Sequence, residues 1–188
     1  SGVSVSLIGW TYGDTAKTPT VSGNLGNANV TYQYKAADAA DETYTNVVPT
    51  NAGTYTVKAT VAESTNYKAA TATGSFTIAP KTVTNAAVTL SQTSYAYTGR
   101  AFQPSVTVKD GTTVIPASEY TVVYTDNINV GTATVTVSDR AGGNYVVSGT
   151  ATFTITKAAL SGVSVSLGGW TYGDTAKTPT VSGNLGNA

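Results

Sequence analysis

Two aromatic pairs are the side chains whose type and placement best suit recognition chemistry. Trp10 and Tyr12 stand beside Gly13-Asp14, and the same residues return as Trp170 and Tyr172 beside Gly173-Asp174. A flat aromatic next to a loop can stack on the apolar face of a sugar ring, which makes glycan contact one reading of all four. The other is that they cap an apolar core or fill the joint between successive modules, because an aromatic ring buries a large area. Two polar clusters, Asp126/Asn127/Asn129 and Asp38/Asp41/Glu42, could offer oxygens to calcium. Neither follows the ordered loop spacing that gathers the about six to eight ligands calcium takes, and both read as turns. Gly23-Asn24-Leu25-Gly26-Asn27 is likewise a turn, since neither Lys-Ser/Thr nor a helix follows it as a phosphate loop requires. Asn29-Val30-Thr31 fits a glycosylation acceptor, a short match in a Thr-rich chain.

The chain contains no His and no Cys. That removes thiolate nucleophiles, Ser-His triads, imidazole bases and the usual zinc ligands together. Ten acidic residues leave a carboxylate pair for glycoside hydrolysis open by composition, but their placement suggests no cleft. The expectation is a protein that is not an enzyme, with no catalytic, cofactor or metal residues. Net charge is zero and there is no basic run, so neither nucleic acid nor an anionic membrane is an expected partner. No apolar stretch reaches the roughly 20 residues of a membrane helix, and the chain reads as an internal fragment of a longer protein.

The elements that must position these residues follow from repeats. Residues 1–28 match 161–188 at 27 of 28 positions, Ile8 against Gly168 being the difference, which points to tandem duplication with a period of 160 residues. The unit is itself double. Tyr12 through Pro19-Thr20-Val21 is echoed by Tyr97 through Pro104-Ser105-Val106, Asn51–Val57 by Asn129–Val135, and Asn66-Tyr67 with Phe76-Thr77-Ile78 by Asn144-Tyr145 with Phe153-Thr154-Ile155. Residues 1–80 are therefore one module, 81–157 a divergent second, and 158–188 the opening of a third that repeats 1–28. Alternating rows such as Val3/Val5/Leu7, Val30/Tyr32/Tyr34 and Tyr55/Val57/Ala59/Val61, with Phe76/Ile78 closing the module, predict strands with one buried face. Val106/Val108, Tyr120/Val122/Tyr124, Ala133/Val135/Val137 and Phe153/Ile155 repeat the pattern in the second module. Ala36–Glu42 has faint helical character but is too short to cover a sheet. The expected fold class is all-β: tandem immunoglobulin-like β-sandwich modules, two complete and one partial, with a β-solenoid as the alternative disfavoured by the lack of a shorter period.

Gly-Trp-Thr-Tyr-Gly-Asp-Thr at 9–15, Thr-Asn-Ala-Gly-Thr-Tyr-Thr-Val at 50–57 and the closing Phe-Thr-Ile make the first module resemble the MBG-type domains of bacterial surface proteins. The second resembles bacterial Ig-like repeats. The resemblance implies a secreted or cell-surface protein, often an adhesin, in which such modules serve as stalk or spacer. Ala133 stands where the first module has Tyr55, so a tyrosine-corner-like contact is not expected to be shared there. Some modules of this kind lock themselves with a Lys–Asn isopeptide bond. Lys35, Lys58 and Lys109 alternate opposite to the apolar rows and should face solvent, which leaves Lys68 as the lysine sharing parity with Phe76 and Ile78.

The function expected from these readings is structural: an extracellular stalk, surface layer or filament segment whose partners are neighbouring copies of itself or of the parent polymer. Short connections at 79–81 and 156–159 suit stiff serial packing. The alternative is a glycan-binding adhesin module using Trp10, Tyr12, Trp170 and Tyr172, its weak sites multiplied by repetition. The opening at 158–188 lacks the counterparts of 55–61 and 76–78, and strands from a neighbouring chain or a continuation of the polymer are expected to complete it.

Overall fold

The computed structural model describes residues 2–183. In the first module, β1 (Ser4–Ser6), β2 (Trp10–Thr11), β3 (Thr20–Ser22) and β4 (Val30–Ala36) precede a 3₁₀ turn at Asp41–Thr43, and β5 (Gly53–Val61) and β6 (Ala70–Ala79) follow it. The weak helical signal near Ala36–Glu42 thus resolves into a single tight turn. One sheet has the order β2-β6-β5-β4, and β1 pairs antiparallel with β3 to form the opposing layer. The alternating rows do what period-2 patterning dictates. Val5, Leu7, Trp10, Tyr34, Val57, Ala59, Phe76 and Ile78 form one buried cluster between the layers, while Thr54 and Thr77 are turned outward.

The second module comprises β7 (Lys81–Val83), β8 (Ala87–Leu90), β9 (Ser94–Ala96), β10 (Val106–Asp110), β11 (Thr113–Ile115), β12 (Tyr120–Thr125), β13 (Gly131–Asp139) and β14 (Tyr145–Thr156). Its sheets are β11-β10-β8 and β12-β13-β14-β7, with β9 also on β14. Val83, Val108, Ile115, Tyr120, Val137 and Val147 form its own buried cluster. This is a second all-β sandwich. The remaining strands, β15 (Ser164–Ser166) and β16 (Thr180–Ser182), form an antiparallel pair in the register of β1 and β3, with Val165 opposite Val181 as Val5 is opposite Val21.

By contacts the chain divides into two compact units that do not coincide with the repeat boundaries. One holds the residues up to Ser91 with Ser105–Val123 and Val135–Ala151. The other holds Gln92–Pro104, Tyr124–Thr134 and the residues from Thr152 on. Both buried clusters lie in the first unit. The second unit has its own apolar centre, in which Tyr95 stacks on Phe102 at 4.4 Å between centroids and meets the edge of Phe153 at 5.5 Å, with Ala133 and Ile155 also buried.

Candidate functional site

Trp10 is placed by a parallel pairing that no local pattern announces. β2 lies alongside the end of β6, with Trp10 opposite Ile78 and Thr11 opposite Ala79, and the Tyr12 N–H donates to the Ala79 carbonyl at 2.8 Å. Gly9 makes this approach possible, because a Cβ there would sit 2.2 Å from the Thr77 carbonyl oxygen. The pairing turns the indole inward, where it stacks on Phe76 at 5.3 Å and is 8% exposed. An open aromatic of the kind sugar stacking needs is therefore not what Trp10 presents. Trp170 and Tyr172 are 47% and 104% exposed.

The second module repeats the device. Ser94, Tyr95 and Ala96 of β9 run parallel to Thr154, Ile155 and Thr156 of β14, and the Tyr97 N–H donates to the Thr156 carbonyl at 2.9 Å. Tyr95 takes the place of Trp10. At the other end of β14, Tyr145, Val146 and Val147 run parallel to Lys81, Thr82 and Val83 of β7. Each module thus ties a strand from its chain entrance, in parallel, to the strand by which the chain leaves it.

Within the first unit, the two modules meet in a polar joint centred on Asn144. Its Oδ1 accepts from the Ala52 N–H at 2.8 Å, and its Nδ2 lies 3.5 Å from Asn51 Oδ1. Its main-chain carbonyl accepts from the Lys81 N–H at 2.8 Å. Glu119 fixes the residue from behind, accepting from the Asn144 N–H at 2.6 Å and from Nδ2 at 3.0 Å. Tyr12 meets Tyr145 edge to face at 5.3 Å, so it fills this joint. Burial, with the nearby Tyr12 second, raises the Tyr145 phenol above the usual tyrosine value and keeps it neutral there. Lys81 pairs with Asp110 at 2.7 Å, and that hydrogen bond raises the ammonium pKa.

Asn144→Ala removes the acceptor of the Ala52 N–H and leaves Glu119 without the amide. The expected result is that amide relaxation in β5 and in Tyr145–Ala151 fits one rotational correlation time in the parent chain and two in the variant. The lost bonds are worth about 1–3 kcal/mol to the joint, and neither module should unfold.

The other sequence candidates lie apart. Lys35 does not face open solvent: its side chain is 11% exposed, because the segment at 37–45 folds back over it and Asp41 pairs with it at 3.0 Å. Lys58 lies over the Tyr44 ring at 4.1 Å from its centroid. Asp38 and Glu42 are exposed, and among the described residues no group of three or more His, Cys, Asp or Glu could hold a metal ion. Asp126 adopts a positive φ of 56°, and the Asn24 side chain bonds both the N–H and the carbonyl of Ala28, which makes both segments turns. The tyrosine-corner contact is present in the first module, where the Tyr55 hydroxyl donates to the Asn51 carbonyl at 2.9 Å. In the second module Ala133 is fully buried instead, and Tyr124 anchors to the Pro104 carbonyl at 2.6 Å.

Paired sandwiches, each with a parallel entrance-to-exit clamp and with a polar joint between them, define a tandem β-sandwich repeat. Residues 2–82 match the MBG domain, which agrees with the residues that first suggested it. The crystal structure of Drosophila N-cadherin EC1-4 is similar over 85% of this chain and 50% of that one, at 12% identity and a TM-score of 0.33, so this chain spans half the length of that protein. No curated protein sequence matches the chain. Among the described residues no helix is long and apolar enough to cross a membrane.

Proposed function

We propose that this chain is a tension-carrying repeat segment of an extracellular protein, a stalk or filament element rather than a catalyst. The observation that supports this reading most is the parallel clamp. Pulling on the two ends of the first module drives Trp10-Thr11 and Ile78-Ala79 in opposite directions along their common axis. The bonds between them are then loaded together in shear. In an antiparallel pair pulled from adjacent ends they would be loaded one after another. The same holds for Ser94–Ala96 against Thr154–Thr156. Resistance to force is set by the unfolding rate, so a bond placed where the load enters counts for more than its equilibrium worth. MBG domains are typically extracellular and non-enzymatic, which fits this role. Partners on this reading are further copies of the same modules.

Single-molecule pulling from the chain ends tests it. The parent chain should give two discrete unfolding events. Tyr12→Pro removes the N–H that reaches Ala79, because proline has none, and should lower the force of the first-module event. Tyr12→Ala keeps that N–H and should leave the force near the parent value. Tyr97→Pro should act on the other event. Equal forces for Tyr12→Pro and the parent would remove the basis for the proposal.

A further inference from the structure

The main sheet of the first module ends at β4, and the chain itself closes that edge. The Tyr34 N–H donates to the Thr45 carbonyl at 2.7 Å and the Thr45 N–H donates to the Tyr34 carbonyl at 2.9 Å, so the segment that follows β4 returns as an antiparallel partner one residue long. Main-chain groups point to alternate sides along such a strand. Those of Val30, Tyr32, Tyr34 and Ala36 therefore point away from β5, and those of Thr31, Gln33 and Lys35 toward it. The Ala36 carbonyl accepts from the Ala39 N–H and Tyr34 is held by Thr45, whereas among the described residues Val30 and Tyr32 have no main-chain partner on that outer side.

This guard is an addition to the sandwich. β4 and β5 are joined by 37–52, while the corresponding β12 and β13 of the second module are joined by 126–130, so a sandwich of this design closes with a short turn. The 3₁₀ turn at Asp41–Thr43 buries no residue, and the segment is fastened from outside: Asp41, its side chain 87% exposed, pairs with Lys35, and the Lys58 ammonium lies over the Tyr44 ring. A segment with so few buried apolar contacts opens far more readily than the whole fold.

We infer that residues 37–45 are a releasable guard over a docking edge, and that the partner of that edge is β4 of a second copy, added antiparallel about a two-fold axis at Gln33. β4 is self-complementary in this register. Val30 stands opposite Ala36 and Tyr32 opposite Tyr34, so all four residues whose main-chain groups point outward are paired. On the outer face Thr31 stands opposite Lys35, so no like charges meet. The two-fold closes the contact as a dimer. The edge lies two strands from β6, by which the chain leaves the module, so the contact joins chains laterally. It goes beyond the tension-carrying reading and does not depend on it.

The chain has no cysteine, and the proposed axis brings two Gln33 side chains within the about 4.5–5.5 Å that separates directly opposed positions. Gln33→Cys is therefore oxidised in three backgrounds: the parent, Asp41→Ala, and Asp41→Ala with Tyr44→Ala, each checked for the parent's circular dichroism. The yield of disulfide-linked dimer should rise severalfold along that order. Thr71→Cys, exposed on the same face but two strands in from the edge, should give little dimer in any of them. In the Asp41→Ala background Thr31→Glu, which places a carboxylate opposite Lys35 of the other copy, should raise the Gln33→Cys yield, and Thr31→Lys should lower it. A yield indifferent to the guard substitutions would overturn the inference, as would Thr71→Cys dimers in equal amount or Thr31→Glu and Thr31→Lys acting alike.

Discussion

Trp10→Ala is expected to destabilise the first module by about 3–5 kcal/mol, the usual cost of emptying a buried aromatic site. Its indole covers Phe76, which also receives Tyr55 in a stacked arrangement and Tyr34 at its edge, so the cavity opens at the centre of an aromatic cluster. Against the roughly 5–15 kcal/mol that holds a domain folded, a loss of this size leaves the module near its threshold. Trp170→Ala, in a stretch nearly identical in sequence, should change stability by no more than about 0.5 kcal/mol, because its ring is 47% exposed where that of Trp10 is 8% exposed. Urea unfolding followed by tyrosine fluorescence and by circular dichroism separates the two. Equal effects would mean that the burial of Trp10 does not govern the module.

Gly74→Ala should be the next most damaging change. Gly74 lies in the middle of β6 opposite Val57, and a Cβ there would stand 2.6 Å from the Val5 carbonyl oxygen of the facing layer. Backbone on both sides leaves no side chain to move aside, so the layers must separate, at a cost of about 1–3 kcal/mol. Gly149→Ala in β14 provides the contrast. Its Cβ would meet the Val88 side chain at 2.7 Å, and a valine can shift where a carbonyl cannot. Thermal midpoints of the two variants should differ in that order, and a Gly149→Ala chain less stable than Gly74→Ala would contradict this packing argument.

The strands were legible because burial on one face leaves a period of two in the sequence, and Val57/Ala59/Val61 or Ala133/Val135/Val137 can be read with no knowledge of their partners. Trp10 was legible as important, with a core-capping ring and a sugar-facing one both open readings. Whether its ring faces sugar or core depends on the parallel pairing with Ile78, a contact made far along the chain that leaves no local spacing. Lys35 obeyed its parity and points away from the sandwich core, yet a following loop covers it, and parity carries no information about loops. Asn144 and Glu119 were missed altogether, since a polar joint has no periodicity. The one signal available was the echo of Asn66-Tyr67 in Asn144-Tyr145, which marked an equivalent position without saying what it touches. Residues 1–28 and 161–188, read as a tandem duplication, carry the same antiparallel register in both copies.

The central claim is that these sandwiches are arranged to bear tension along the chain, and pulling direction tests it most directly. Two cysteine pairs in the cysteine-free chain fix the geometry: attachment at Gly2 and Lys157 loads the parallel clamps in shear, while attachment at the cross-strand partners Thr31 and Thr60 unzips β4 from β5. The account expects the end-to-end direction to yield at a force severalfold higher than the unzipping direction, with the difference reduced by Tyr12→Pro. End-to-end forces no higher than those of unzipping would contradict it.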